Sequence, residues 1–163
     1  MEVRSLKSIV VALNTARVNY LIVGGVVVNT HGFVRLTRDV DLVIGLSPEN
    51  ATRGLQALAT IGYRMGIPEP PEAFADAQTR ERWRVEKNMI VLKLWSDAHR
   101  RTPIDVFVYE PFPFEAELAR ATLQELDAGI LAPVVALDTL LEMKRAAGRP
   151  QDMIDIQELK RLP

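Results

Sequence analysis

Two aspartates one residue apart inside an apolar strand constrain this chain more than any other feature. Residues 38–44 read Arg-Asp-Val-Asp-Leu-Val-Ile. Side chains at i and i+2 of a strand point to the same face, so Asp39 and Asp41 would stand side by side. Two carboxylates held that close repel each other unless a proton or a cation lies between them. Such a pair costs stability, and its presence in a Val/Leu/Ile strand points to a bound partner.

The segments around it alternate helix and strand. Leu6, Ile9, Val10 and Leu13 recur at helical spacing, predicting an amphipathic helix over 3–17. Residues 20–24 predict a short buried strand that runs into Gly24-Gly25. The run Val26-Val27-Val28 favours strand by its β-branching, while Gly32 suits a helix C-terminus, so 26–32 is left open between the two. After the strand at 39–45, Ser47 and Pro48 start a helix as N-cap and first helical residue, ended by Gly62. Residues 66–78 read as a loop or lid leading into a charged helical turn at 79–87. Residues 89–95 and 103–109 read as two antiparallel strands around a polar turn. A short helix follows at 114–121, then an apolar connector at 130–137. Asp138 is placed as the cap of a helix to Ala147, and Gly148-Arg149-Pro150 separates it from a last helix over 151–162. This order predicts an α/β (α+β) chain, a small mixed β-sheet flanked by helices with a helical tail. The expected division is a core over 1–130 and a C-terminal helical extension over 131–163 packed on it as a single structural unit.

Composition narrows the function classes. The 163 residues suit one domain, and 48% hydrophobic with 25% charged is an ordinary globular balance. A net charge of −1 makes no global case for nucleic-acid binding. With no cysteine, thiolate metal sites and disulfides are excluded, and a reducing cytoplasm is the expected location. Neither a signal peptide nor a membrane span is expected.

A third carboxylate, Asp105, lies in the apolar strand Pro-Ile-Asp-Val-Phe-Val-Tyr at 103–109. If that strand lies beside the one holding Asp39 and Asp41, three carboxylates converge. Hard oxygen ligands of this kind suit Mg²⁺ or Mn²⁺, and a pair of such ions about 4 Å apart can clamp both oxygens of a phosphoryl displacement. Gly24 and Gly25 would let backbone N–H groups approach an anion without a Cβ in the way. Alone, each element has a plainer reading: a polar strand face, a strand-edge salt bridge, a tight turn. Their combination favours chemistry.

The stretch from Tyr20 to Ile44, with Gly24, Gly25, His31, Gly32, Arg35, Thr37, Asp39 and Asp41 in spacing, resembles the signature of nucleotidyltransferases of the DNA polymerase β type. Within that superfamily it looks like the AbiEii-like bacterial branch. Asp105 matches the third carboxylate of the family. Lys144, Arg149, Asp152 and Asp155 match a C-terminal motif. The resemblance implies the nucleotidyltransferase fold, with Asp39, Asp41 and Asp105 as catalytic, metal-binding carboxylates for Mg²⁺ or Mn²⁺. It also implies nucleotide contacts from Gly24, Gly25, Arg35, Thr37 and Lys144, transfer of an NMP from an NTP to a hydroxyl of RNA, protein or a small molecule, and a cognate antitoxin as partner. Two departures stand out: Val26, Val27 and Val28 replace the small residues usual after Gly-Gly, and the chain is shorter than the toxin members. They motivate an alternative, a catalytically silent nucleotide-binding or toxin–antitoxin module. A phosphohydrolase using the same carboxylates is a third reading.

Other residues carry weaker signals. His31 reads as structural, and His99 as solvated. Trp83 and Trp95 read as packing residues. Arg80, Arg82, Arg84 and Lys87 read as a solvated helix face, with a nucleic-acid patch as the sharper option. Asp152 and Asp155 read as partners of Arg149 or Lys144 in a stabilising network.

Overall fold

The computed structural model describes residues 1–161. The last residue of the expected final helix, Leu162, lies outside them. A seven-stranded mixed sheet in the order β3-β4-β5-β2-β1-β7-β6 forms the centre. Its strands are β1 (Tyr20–Val23), β2 (Val40–Ile44), β3 (Arg64–Met65), β4 (Val91–Trp95), β5 (Ile104–Phe107), β6 (Thr122–Asp127) and β7 (Ile130–Val134). The helices are α1 (Val3–Thr15), α2 (Gly24–Thr30), α3 (Pro48–Thr60), α4 (Glu72–Ala75), α5 (Ala77–Lys87), α6 (Phe114–Ala119), α7 (Leu137–Ala147) and α8 (Pro150–Leu159).

The alternation along β2 decides which helix lies on which face. Ile44 packs against Gly54 of α3, while Asp41 packs against Gly24 at the start of α2. Val40, Leu42 and Ile44 therefore face α3, and Asp41 and Val43 face α2. β5 continues the division: Val40 pairs with Ile104, Leu42 with Val106 and Asp41 with Asp105. On β4, Leu92 and Leu94 are buried on the α3 face, whereas Lys93 and Trp95 are exposed on the other. The α2 face is thus covered over β1 and β2 and open at β4, and the cleft described below lies at that transition.

Valines 26–28 are helical despite their β-branching. All three are fully buried, and burial against β1, β2 and α7 outweighs a propensity penalty of a few tenths of a kcal/mol per residue. The α3 start follows its sequence signal: Ser47 Oγ accepts from the Asn50 N–H at 3.4 Å with Pro48 at the first helical position.

Several expectations are corrected. Residues 130–134 form strand β7 rather than a connector. It pairs with β1 in parallel and with β6 antiparallel, so the central sheet continues across residue 130. Within 66–78 a helical turn, α4, buries Phe74 in the core. Arg80 is buried, donating from Nη1 to the Phe74 carbonyl at 2.5 Å, so it belongs to neither a solvated face nor a nucleic-acid patch. Trp83 packs in the core, but Trp95 is 45% exposed with the Arg64 guanidinium over its ring. Asp138 does not cap α7. It lies in the first turn, paired with Arg120, while Glu117 of α6 accepts from the Ala136 N–H and the Thr139 hydroxyl at the helix start. His99 is not simply solvated: its Nδ1 contacts Ser5 Oγ at 2.9 Å and its ring stacks on Tyr63.

Candidate active site

A cleft of about 320 Å³ opens between the α2–β2 connection, the ends of β2 and β5, and the α7–α8 corner. A narrow apolar slot between Val23, Phe107, Leu140 and Met143 continues from it beside Asp41.

Asp41 and Asp105 stand in register on adjacent parallel strands, the juxtaposition on which convergence of the carboxylates depended. Asp39 precedes β2 and is partly exposed. Burial, then the negative charges of Asp39 and Asp105, push the Asp41 carboxyl from 3.8 to about 7, against the pull of Arg149 and a hydrogen bond from the Gly25 N–H. Asp105 is also raised, chiefly by burial, although Lys93 pulls it down. Lys93 Nζ lies 3.2 Å from both carboxylate oxygens of Asp105. The sequence reading missed this lysine; its in-register position opposite Asp105 on β4 requires knowing the strand pairing.

The glycine pair is required sterically. A Cβ on Gly24 would fall 2.0 Å from Asp41 Oδ2, and the residue has φ +69°. A Cβ on Gly25 would fall 2.6 Å from Thr37 Oγ1. Asp41 and the buried Thr37 thus lie directly over a strand–helix junction stripped of side chains.

Arg35 and Lys144 border the same cleft, but their charged ends are bound within the protein. Arg35 donates from Nε and Nη2 to the two oxygens of Asp155, both at 2.7 Å. Lys144 Nζ donates to Asp155 at 2.6 Å and Asp152 at 3.1 Å. Arg149 Nε reaches Asp152 at 2.7 Å, and its side chain remains 75% exposed at the cleft. Lys144, Asp152 and Asp155 are buried, so the network anticipated for Asp152 and Asp155 is present and extends to Arg35. Burial alone would raise Asp155; hydrogen bonds from Arg35, Lys144 and Gln151 outweigh it and hold the carboxyl at about 2. His31 ends α2, its Nε2 buried without a hydrogen-bond partner and its pKa lowered by burial.

Among the described residues, no three His, Cys, Asp or Glu side chains already stand together as a metal-ligating set. Asp105 is turned to Lys93 and Asp41 to the Gly25 N–H. The donor chemistry nevertheless fits a hard divalent cation: three carboxylates, of which Asp39 and Asp105 add their charge to the burial that raises Asp41. Direct ligation requires Asp41 and Asp105 to turn from these partners.

No protein-family model matches the sequence, and neither does any curated protein. Solved structures do share its fold. The lincosamide antibiotic adenylyltransferase LnuA, solved with lincomycin bound, superposes with a TM-score of 0.56 at 16% identity, over 93% of this chain and 91% of its own. A protein assigned as a nucleotidyltransferase from Thermotoga maritima gives 0.59 at 14% identity, covering 95% and 89%. An antigenic nucleotidyltransferase-like protein from Paracoccidioides brasiliensis gives 0.58 at 18% identity, covering 97% and 75%. The chain has the nucleotidyltransferase fold, and among its described residues no helix is long and apolar enough to cross a membrane.

Proposed function

We propose that this protein is a metal-dependent nucleotidyltransferase that moves an NMP from an NTP to a hydroxyl of RNA, protein or a small molecule. The observation that carries the proposal is the in-register pair Asp41–Asp105, with Asp39 beside it, over the bare Gly24-Gly25 junction. Asp39, Asp41 and Asp105 would hold Mg²⁺ or Mn²⁺, which when bound neutralises charge on the α-phosphate and the leaving pyrophosphate. Gly24 and Gly25 leave room for the phosphates against the junction. Thr37, Arg35 and Lys144 shape the adjoining wall, and Arg149 offers an exposed guanidinium to phosphate oxygens. Asp105 takes the proton of the acceptor hydroxyl as its oxygen bonds to the α-phosphorus; the bond from that phosphorus to the bridging oxygen breaks, and pyrophosphate leaves.

The run from Lys144 to Asp155 resembles the AbiEii-like motif, a relationship that would bring a cognate antitoxin, and the lack of cysteine favours a cytoplasmic location. The likeness to a lincomycin-bound adenylyltransferase favours a small hydroxylated acceptor. One observation favours the silent-module reading instead: Arg35 and Lys144 are committed to Asp155 rather than free for phosphate.

Calorimetric titration of NTPs with Mg²⁺ or Mn²⁺ tests the proposal on wild type and the Asp39→Ala, Asp41→Ala double variant. Metal-dependent binding by wild type alone, followed by label transfer from α-labelled NTP, is expected. A folded wild type that binds neither metal nor NTP would refute it; binding without transfer to any acceptor would favour the silent module.

A further inference from the structure

Lys93, Asp105 and Asp41 form a row across β4, β5 and β2. Lys93 is the antiparallel partner of Asp105, and Asp105 the parallel partner of Asp41, so all three side chains leave the same face of the sheet. The Lys93 ammonium lies 3.2 Å from each Asp105 oxygen. It straddles the carboxylate where a cation held by both oxygens would sit. The Asp105 side chain is 12% exposed, whereas that of Lys93 is 73% exposed. The ammonium therefore reaches in from solvent to a buried carboxylate. Lys144 is the contrasting case, buried and shared by two buried carboxylates.

We propose that Lys93 biases the site to take its divalent cation as a metal–nucleotide complex rather than as a free ion. The inference rests on the nucleotidyl-transfer reading of the same cleft. A free divalent cation approaching Asp105 competes with the ammonium for the same oxygens and is repelled by its charge. A metal–nucleotide complex delivers the same cation with net negative charge, so the displaced ammonium gains the phosphates as its new partner. Lys93 thus opposes one form of the metal and favours the other, and the short flexible path from Asp105 into solvent lets it make the exchange. No bond is made or broken in this step.

The two affinities must then move in opposite directions when the charge is removed. Free Mn²⁺ binding is measured by the electron paramagnetic resonance signal of the unbound ion. Binding of Mn²⁺ complexes with the α,β-methylene analogues of the four ribonucleoside triphosphates is measured by calorimetry. In Lys93→Met, free Mn²⁺ is expected to bind at least about fourfold tighter and the complexes at least about fourfold weaker, the effect of one pair of unit charges across roughly 5 Å even when screened as fully as in water. Lys93→Arg should behave as wild type. Unchanged affinities in Lys93→Met, or two shifts of the same sign, overturn the inference and leave the nucleotidyl-transfer reading standing. A wild type that takes neither free Mn²⁺ nor any complex overturns both. Coincident thermal unfolding of wild type and Lys93→Met shows that the exposed substitution leaves the fold intact.

Discussion

Asp41 should make the protein less stable, and its replacement by Asn should make it more so. Burial, with the charges of Asp39 and Asp105, pushes its carboxyl up from 3.8 to about 7. A carboxyl raised in the folded state binds its proton more tightly there than in the unfolded chain. Its ionisation therefore removes stability progressively as pH rises from about 4 to about 7. The gap between about 7 and 3.8, at about 1.4 kcal/mol per pH unit, amounts to about 4 kcal/mol. Solvent contact at the cleft screens part of this, leaving about 2–4 kcal/mol. Asn matches the protonated carboxyl in shape and carries no charge. Asp41→Asn should therefore equal wild type near pH 4 and exceed it by that amount at pH 8, roughly 5–10 °C in Tm for a chain of this size. Urea unfolding at both pH values, with chelator present, measures the difference. An Asp41→Asn protein no more stable than wild type at pH 8, or equally stabilised at both pH values, would show that Asp41 is not the electrostatically strained group.

Three further outcomes follow from the same geometry. Gly24→Ala should lose at least about 1–2 kcal/mol in urea unfolding, from its φ of +69° and a Cβ set 2.0 Å from Asp41 Oδ2; metal-dependent NTP binding should fall with it as Asp41 is pushed aside. Lys144→Met should cost about 3 kcal/mol by the same assay, the low end for breaking a buried ion pair, because Arg35 and Arg149 still reach Asp155 and Asp152. Asp155 has the opposite sign to Asp41: its carboxyl is held at about 2, so its contribution is fully present above about pH 4 and disappears as pH falls through about 2. Asp155→Asn should therefore flatten the acid limb of wild-type stability between those values, and a limb of unchanged steepness would count against the network.

What was legible in the sequence was what local chemistry determines. β2 announced itself through its Val, Leu and Ile content, α3 through Ser47 and Pro48, and the β4–β5 pair through two apolar runs around a polar turn. The Asp41–Asp105 juxtaposition was legible only as a condition, since it depends on β5 lying beside β2 across about 60 residues of chain. The rest depended on partners that local patterns do not specify. β7 contains Pro133, which argues against a strand, and it becomes one by lying between β1 and β6. β6 carries Glu and Asp, residues depleted in strands, and is tolerated at the edge of the sheet. Lys144 read as a phosphate contact or as a partner of Asp152 and Asp155. Its burial follows from Asp152 and Asp155 arriving on the next helix, eight and eleven residues later.

The cleft holds two sets of charge that are solved in opposite ways. In the first, Arg35, Lys144 and Arg149 surround Asp152 and Asp155 with short hydrogen bonds, and both carboxyls are held below their ordinary value. That set has what it needs within the chain and ties α8 to α7 and to the connection entering β2. In the second, Asp39, Asp41 and Asp105 repel one another, and Asp41 and Asp105 are held above their ordinary value. Its main internal cation is Lys93, which is mostly solvent-exposed. A sequence under pressure for stability alone would replace Asp41 with an uncharged residue, because its charge is opposed by burial and by Asp39 and Asp105. A strained anionic set beside a self-satisfied one fits the proposed binding of an external cation. The first set ties the connection entering β2 to α8 through Arg35, and the second is the part of the cleft with unmet demand for charge.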